Sequence, residues 1–282
     1  MAYLTSAHGT SIAYQRDGSG PAVVLIGGGL DDGSENVPLA RELAKHLTVY
    51  NFARRGRGES GDTQPYAVER EIDDIAAIIT DGGGSAHLFG VSSGGMFALE
   101  AAAAELPVGR LAVYEVPYDT AADAVPRTRE YREQLGAALA GDRRADAVAL
   151  FMQLAGSSES DIAAAMNSPY WPGLEDLANT LAYDAALYGP PPTDRLATIT
   201  QSTLVATGGS NDYFERAADA VAASLAHAER QVIEGQGHVV DPKVMATVLA
   251  VLQCLILSSG VLWRTRCLGP RPTCDVCSGT HC

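Results

Sequence analysis

The chain has 282 residues, 46% of them hydrophobic and 19% charged, with a formal net charge of −14. That is the composition of an ordinary globular protein, long enough for one large α/β domain or two smaller ones and for a substantial buried core. The acidic balance argues against a nucleic-acid partner, because phosphate binding needs clustered lysine and arginine.

Two short segments, 3–5 and 11–14, flank His8-Gly9-Thr10 and predict a β-hairpin. Residues 21–26 form a fully apolar run, the pattern of a parallel strand buried on both faces, and end in Gly27-Gly28-Gly29. Leu39, Leu43 and Leu47 at fourfold spacing predict a helix over 37–46. A strand over 47–52 leads into Arg54-Arg55-Gly56-Arg57-Gly58-Glu59-Ser60-Gly61. The helix over 68–80 turns Ile72, Ile75, Ile78 and Ile79 to its buried side. A strand over 86–89 runs into Gly90-Val91-Ser92-Ser93-Gly94, and an alanine-rich helix over 96–105 follows. Another strand covers 111–116.

From Tyr118 to about Gln201 only helical segments are predicted: 127–140, 146–155, 160–166 and 173–187. Alternation resumes with a strand at 203–207, a helix at 213–226, a strand at 230–233 and a helix from Pro242. Strand–helix alternation predicts an α/β fold with a mostly parallel, doubly wound sheet, interrupted after the sixth strand by a helical cap. The predicted division is a core of 1–117 with 203–257, a cap of 118–202 and a tail of 258–282.

Gly-x-Ser-x-Gly between a strand and a helix is a nucleophile elbow, a sharp turn that lifts one hydroxyl, here that of Ser92, off the end of a strand. A serine hydroxyl needs a base to take its proton, and an imidazole titrating near neutrality suits that task. In open α/β sheets ligands sit beyond the carboxyl ends of the strands. The loop after the last strand, Glu234-Gly235-Gln236-Gly237-His238, offers His238 there. His8 lies in a hairpin, His46 at a helix end, His87 before the elbow and His227 at a polar helix terminus. The glycine loop at 27–29 does not match a dinucleotide fingerprint: Gly27, Gly29 and Gly33 have the wrong spacing, and Asp31, Asp32 and Glu35 would repel a pyrophosphate.

The Gly27-Gly28-Gly29 loop, Arg55-Gly56-Arg57-Gly58-Glu59-Ser60, the elbow at Ser92 and Gly237-His238 together resemble the α/β-hydrolase fold family, over residues 3–257. The likeness is to its small capped esterase-like and haloperoxidase-like members. The resemblance implies an oxyanion hole made by the amide of Ser93 and by that of Gly29 or Leu30. Gly27 stands where the family usually has a histidine. For the acid of the triad the resemblance offers two places. One is the loop 207–212, where the usual spacing lands on Asn211 and Asp212 follows; the other is the end of the sixth strand, at Glu115. Glu115 is preferred, with Asp212 as the alternative. The competing reading of Glu115 is a brace paired with Arg54 or Arg55. Dehalogenase and epoxide hydrolase chemistry in this fold uses an aspartate at the elbow, so Ser92 implies an acyl-enzyme instead.

The expected function is therefore a serine hydrolase cleaving a small ester, thioester or lactone, with Ser92, His238 and Glu115 in the catalytic roles. The alternatives are a ligand-binding or accessory protein on the same fold, or non-hydrolytic triad chemistry such as perhydrolase, lyase or acyltransferase activity. Phe151, Met152, Met166, Tyr170, Trp171, Tyr183 and Tyr188 supply the cap with large apolar surface; most are expected to pack as cap core and some to line a pocket for a partly apolar small molecule. No cofactor and no metal site are expected. The start, Met1 to Gly9, lacks the pattern of a secretory leader. The longest apolar stretch, 244–257, is broken by Thr247 and Gln253 and is short for a membrane span. A cytoplasmic protein with no membrane partner is expected. All five cysteines lie at Cys254, Cys267, Cys274, Cys277 and Cys282, so the main body is not a disulfide scaffold. Cys274, Cys277, His281 and Cys282 carry fragments of zinc spacing without a second cysteine pair, and the tail reads as a disordered appendage or an artefact.

Overall fold

A computed structural model describes residues 1–254. The cysteine-rich tail lies outside the described residues.

The backbone alternates strand and helix as the apolar periodicity demands. The strands are β1 (Ala2–Thr5), β2 (Ser11–Gly18), β3 (Ala22–Ile26), β4 (Thr48–Phe52), β5 (Ala86–Val91), β6 (Val108–Tyr114), β7 (Thr203–Thr207) and β8 (Ala228–Val232). They form one sheet in the order β1-β2-β4-β3-β5-β6-β7-β8. β1, β2 and β4 pair antiparallel, and every pairing from β4 onward is parallel. The helices of the alternating part are α1 (Val37–Leu43), α2 (Val68–Asp81), α3 (Ser93–Ala103), α10 (Asp212–Ser224) and α11 (Pro242–Cys254).

The period of two along β3 sorts the core. Val24 and Ile26 belong to the core layer that holds Ile75 and Ile78 of α2, Phe97 of α3 and Val221 of α10. Val23 and Leu25, on the opposite face, pack with Leu39 and Leu43 of α1 and Met245 of α11. A strand covered on both faces is apolar at every position, as β3 is.

Between β6 and β7 the chain is helical: α4 (Ala124–Ala140), α5 (Arg144–Leu154), α6 (Glu159–Met166), α7 (Trp171–Leu177), a 3-10 turn (Ala178–Thr180), α8 (Leu181–Ala185) and α9 (Thr193–Leu196). This segment has a core of its own around Tyr131, Leu135, Val148, Trp171 and Leu181. The single helix expected over 173–187 is broken in three. Thr180 Oγ1 donates to the carbonyl of Leu177 at 2.7 Å, and this three-residue back-bond competes with the helical ladder. The elbow helix starts at Ser93 rather than Met96, and β6 stops at Tyr114, two residues short of the expected end. The reason is Glu115, whose φ of +48° turns the chain out of the extended region.

No described helix is long and apolar enough to cross a membrane.

Candidate active site

Ser92 sits between β5 and α3 at φ +54° and ψ −131°, a strained conformation for a residue with a β-carbon. The turn is possible because its neighbours are bare. A Cβ on Gly90 would lie 2.5 Å from the carbonyl oxygen of Gly94, and one on Gly94 would lie 2.2 Å from that of Ile26. The bend is tied to the next strand, where the Ser92 amide donates to the Tyr114 carbonyl at 2.9 Å. The Ser93 amide, at the first position of α3, has no acceptor within the helix and lies at the positive end of its dipole.

The loop after β3 lies against this turn. A Cβ on Gly28 would stand 3.0 Å from Ser92 Cβ and 3.6 Å from Ser92 Oγ. A Cβ on Gly29 would collide with the ring of Phe151, 2.6 Å from Cζ. Phe151, on α5, therefore covers Gly29 from the helical segment.

Glu115 and His238 meet at the ends of β6 and β8. Nδ1 of His238 lies 2.7 Å from Glu115 Oε2, and the amide of Gly208 donates to Glu115 Oε1 at 3.0 Å. Glu115 is buried, while the His238 side chain is 46% exposed. The imidazole stacks on Phe214 of α10, with centroids 4.8 Å apart and planes within 13°. Its loop is pinned where the Tyr114 hydroxyl donates to the Gly237 carbonyl at 2.6 Å. Sheet register pairs Val91 with Tyr114, so Ser92 and Glu115 leave neighbouring strands at the same level, strands that run roughly 4.8 Å apart. Ser92 Oγ makes no hydrogen bond among the described residues, to His238 or otherwise.

Other expectations find different places. Asp212 is exposed at the start of α10 and makes no hydrogen bond or ion pair with His238 among the described residues. Asn211 caps that helix, with Oδ1 accepting from the Tyr213 amide at 2.9 Å. Arg54 and Arg55 do not pair with Glu115. Arg54 grips Glu71 with two bonds of 2.7 Å, and Arg55 grips Asp74 at 2.8 and 2.7 Å. Of the large apolar residues of the helical segment, Trp171 and Tyr183 are buried, whereas Tyr170 is 79% exposed. Among the described residues no group of three His, Cys, Asp or Glu is arranged to hold a metal ion.

Asp184 of α8 escaped the sequence reading. Fully buried, it accepts from Arg54 Nη1 at 2.6 Å, from Ser93 Oγ at 2.8 Å and from Arg57 Nη2. Burial alone would raise its carboxyl, but Arg54 and Arg57, with the hydrogen bonds from Arg54 and Ser93, hold it below the usual carboxylate range. The one signal in the sequence is an isolated carboxylate within the apolar stretch 181–187. Its three partners lie 91 to 130 residues away, beyond the reach of any local pattern.

The family described as "Alpha/beta hydrolase family" matches residues 23–248 by its sequence model. The structure is similar to that of an alpha/beta hydrolase from Sphaerobacter thermophilus DSM 20745, with 44% identity and a TM-score of 0.83 over 89% of this chain and 100% of that one. An uncharacterized hydrolase, YraK, of Bacillus subtilis (strain 168) is 37% identical over 98 residues, 33% of this chain and 35% of its own length. A pimeloyl-[acyl-carrier protein] methyl ester esterase of Xanthomonas campestris pv. campestris (strain B100) is 38% identical over 97 residues, 34% of this chain and 37% of its own. The matched stretch thus spans about a third of each of these two curated relatives.

Proposed function

The chain belongs to the alpha/beta hydrolase family, and from that premise we propose that it is a serine hydrolase cleaving a small ester, thioester or lactone through an acyl-enzyme on Ser92. The observation that carries this reading is the 2.7 Å contact of Glu115 with His238, made beside the strand end that bears Ser92. Glu115 accepts a hydrogen bond from Nδ1–H, which keeps the proton on that nitrogen and leaves Nε2 free to act as a base. Ser92 Oγ attacks the acyl carbon as Nε2 takes its proton, and the imidazolium then protonates the departing alkoxide or thiolate. Water enters by the same route in reverse: Nε2 removes its proton, the hydroxide oxygen attacks the acyl carbon, and Ser92 leaves with the proton restored.

The oxyanion of each tetrahedral intermediate is received by the amides of Ser93 and Gly29. Each such donor is worth about 3–4 kcal/mol when aimed at the developing charge. The Phe151 ring beside Gly29 supports a substrate with a modest apolar acyl group. The esterase activity named for the Xanthomonas relative supports an ester as the bond cleaved.

A second reading, a ligand-binding protein with little turnover, is favoured by one observation: Ser92 Oγ and His238 are not hydrogen-bonded. In serine hydrolases without substrate that bond is often long and tightens only in the reactive complex. A fluorophosphonate probe with p-nitrophenyl acetate as reporter separates the two readings. A serine hydrolase labels at Ser92, and Ser92→Ala lowers turnover by on the order of 10⁴-fold. Ligand binding without labelling leaves the second reading in place and removes the first.

A further inference from the structure

We propose that Asp184, brought in by the helical segment, positions both oxyanion donors, one through the Ser93 hydroxyl and the other through the guanidinium of Arg57. This rests on the serine hydrolase reading above.

The loop at 27–29 is three glycines in a row. A peptide unit is planar and trans, so the carbonyl of Gly28 and the amide N–H of Gly29 share one plane and point in opposite directions. Glycine on both sides leaves that plane without side chains to fix its rotation. A flipped plane would turn a carbonyl oxygen, instead of an N–H, toward a developing oxyanion. The plane therefore needs a grip from outside.

Arg57 supplies it. Its Nη1 donates to the Gly28 carbonyl and also reaches the Asp31 carbonyl at 3.5 Å, so one guanidinium holds both ends of the turn from Gly28 to Asp31. Within that turn Leu30 has φ +58°, a conformation that persists only when the surroundings enforce it. With its carbonyl held by Arg57, the Gly28–Gly29 peptide directs its N–H to the side away from the guanidinium.

The Arg57 guanidinium is buried, and a charge in such a place needs a counter-charge. Asp184 provides one. Oδ2 takes Arg57 Nη2, and Oδ1 takes both Arg54 Nη1 and Ser93 Oγ. Ser93 carries the second amide donor. A single carboxylate thus touches one donor residue and is one arginine away from the other.

A mere fold staple would give the same contacts, so the test reads catalysis and stability separately. Wild-type enzyme is first labelled at Ser92 by the fluorophosphonate; absence of labelling sinks the serine hydrolase reading rather than this one. In Arg57→Lys the charge facing Asp184 is kept, but a point-charge ammonium lacks the planar fork that spans Gly28 and Asp184. Ser93→Ala removes one hydroxyl and no charge. Folding is followed by circular dichroism, p-nitrophenyl acetate gives kcat and KM, and phenylboronic acid, which forms a tetrahedral anion on Ser92, reports oxyanion binding.

Loss of a positioned donor is expected to lower kcat about 10²-fold in Arg57→Lys and about 10-fold in Ser93→Ala, with KM within about twofold and boronate affinity falling in step with kcat. Either folded variant retaining wild-type kcat and boronate affinity overturns the proposal. So does a loss that raises KM and spares boronate binding. Ser93→Ala decides the matter even if Arg57→Lys fails to fold.

Discussion

His238 Nδ1 lies 2.7 Å from Glu115 Oε2 although 123 residues separate them. The other oxygen of Glu115 is occupied by the Gly208 amide, so the carboxylate is oriented from one side and offers itself to the imidazole on the other. An amide at this position could donate to Nδ1 and impose the wrong tautomer. Glu115→Gln should therefore lower kcat for p-nitrophenyl acetate by on the order of 10³- to 10⁴-fold. Asp212→Asn, at an exposed site with no hydrogen bond to the imidazole among the described residues, should leave it within about twofold. Equal losses in the two variants would refute the assignment of Glu115 as the acid.

The Tyr114 hydroxyl holds the Gly237 carbonyl at 2.6 Å and so ties the His238 loop to the end of β6. Tyr114→Phe removes a hydrogen bond to an exposed carbonyl that water can then reach, at a cost of about 0.5–1.5 kcal/mol. A looser loop presents the imidazole less often in the reactive geometry. The expected result is a several-fold drop in kcat with little change in KM; an unchanged kcat would show that the loop holds itself.

Gly94 and Gly136 should respond in opposite ways to the same added methyl. A Cβ at Gly94 would meet the backbone oxygens of Ile26 and Gly27 at 2.2 and 2.5 Å, atoms of a central strand end that cannot move aside cheaply. A Cβ at Gly136, inside α4, meets nothing within 4 Å. Gly94→Ala should destabilise by about 3 kcal/mol. Gly136→Ala should stabilise by about 0.5–1 kcal/mol through helix propensity and a less flexible unfolded chain. Urea melts of the two variants check both signs.

The parts of the molecule legible in the sequence are those set by local rules. β3 is apolar at every position because both its faces are covered, and α2 shows its isoleucines at helical spacing because only one face is. The bend at Ser92 is written in the glycines that flank it. What escaped depends on distant partners or single torsions. The Thr180 hydroxyl bonds back to the Leu177 carbonyl where the chain tightens into a 3-10 turn between α7 and α8. Glu115 ends β6 early by adopting a left-handed conformation. Asp184 meets Arg54 across 130 residues, and the arginine run at 54–57 does not say which carboxylates will neutralise it.

His87 gives the fold a pH dependence whose sign follows from its surroundings. The side chain on β5 is partly buried with no hydrogen-bond partner for Nδ1, and burial, aided by the nearby charge of Arg110, pushes its pKa below the ordinary histidine value. In the unfolded chain the imidazole takes up its proton near pH 6.5, whereas the folded protein resists until lower pH. Between those two points the unfolded state binds more protons, so stability falls as pH drops from about 7 toward 5 and the penalty is absent above pH 7. His87→Val suits a strand and removes the titrating group. Urea melts at pH 5, 6, 7 and 8 should show the variant losing less stability than wild type across the acid half of that range. Parallel curves for the two proteins would mean that His87 does not set the acid-side slope.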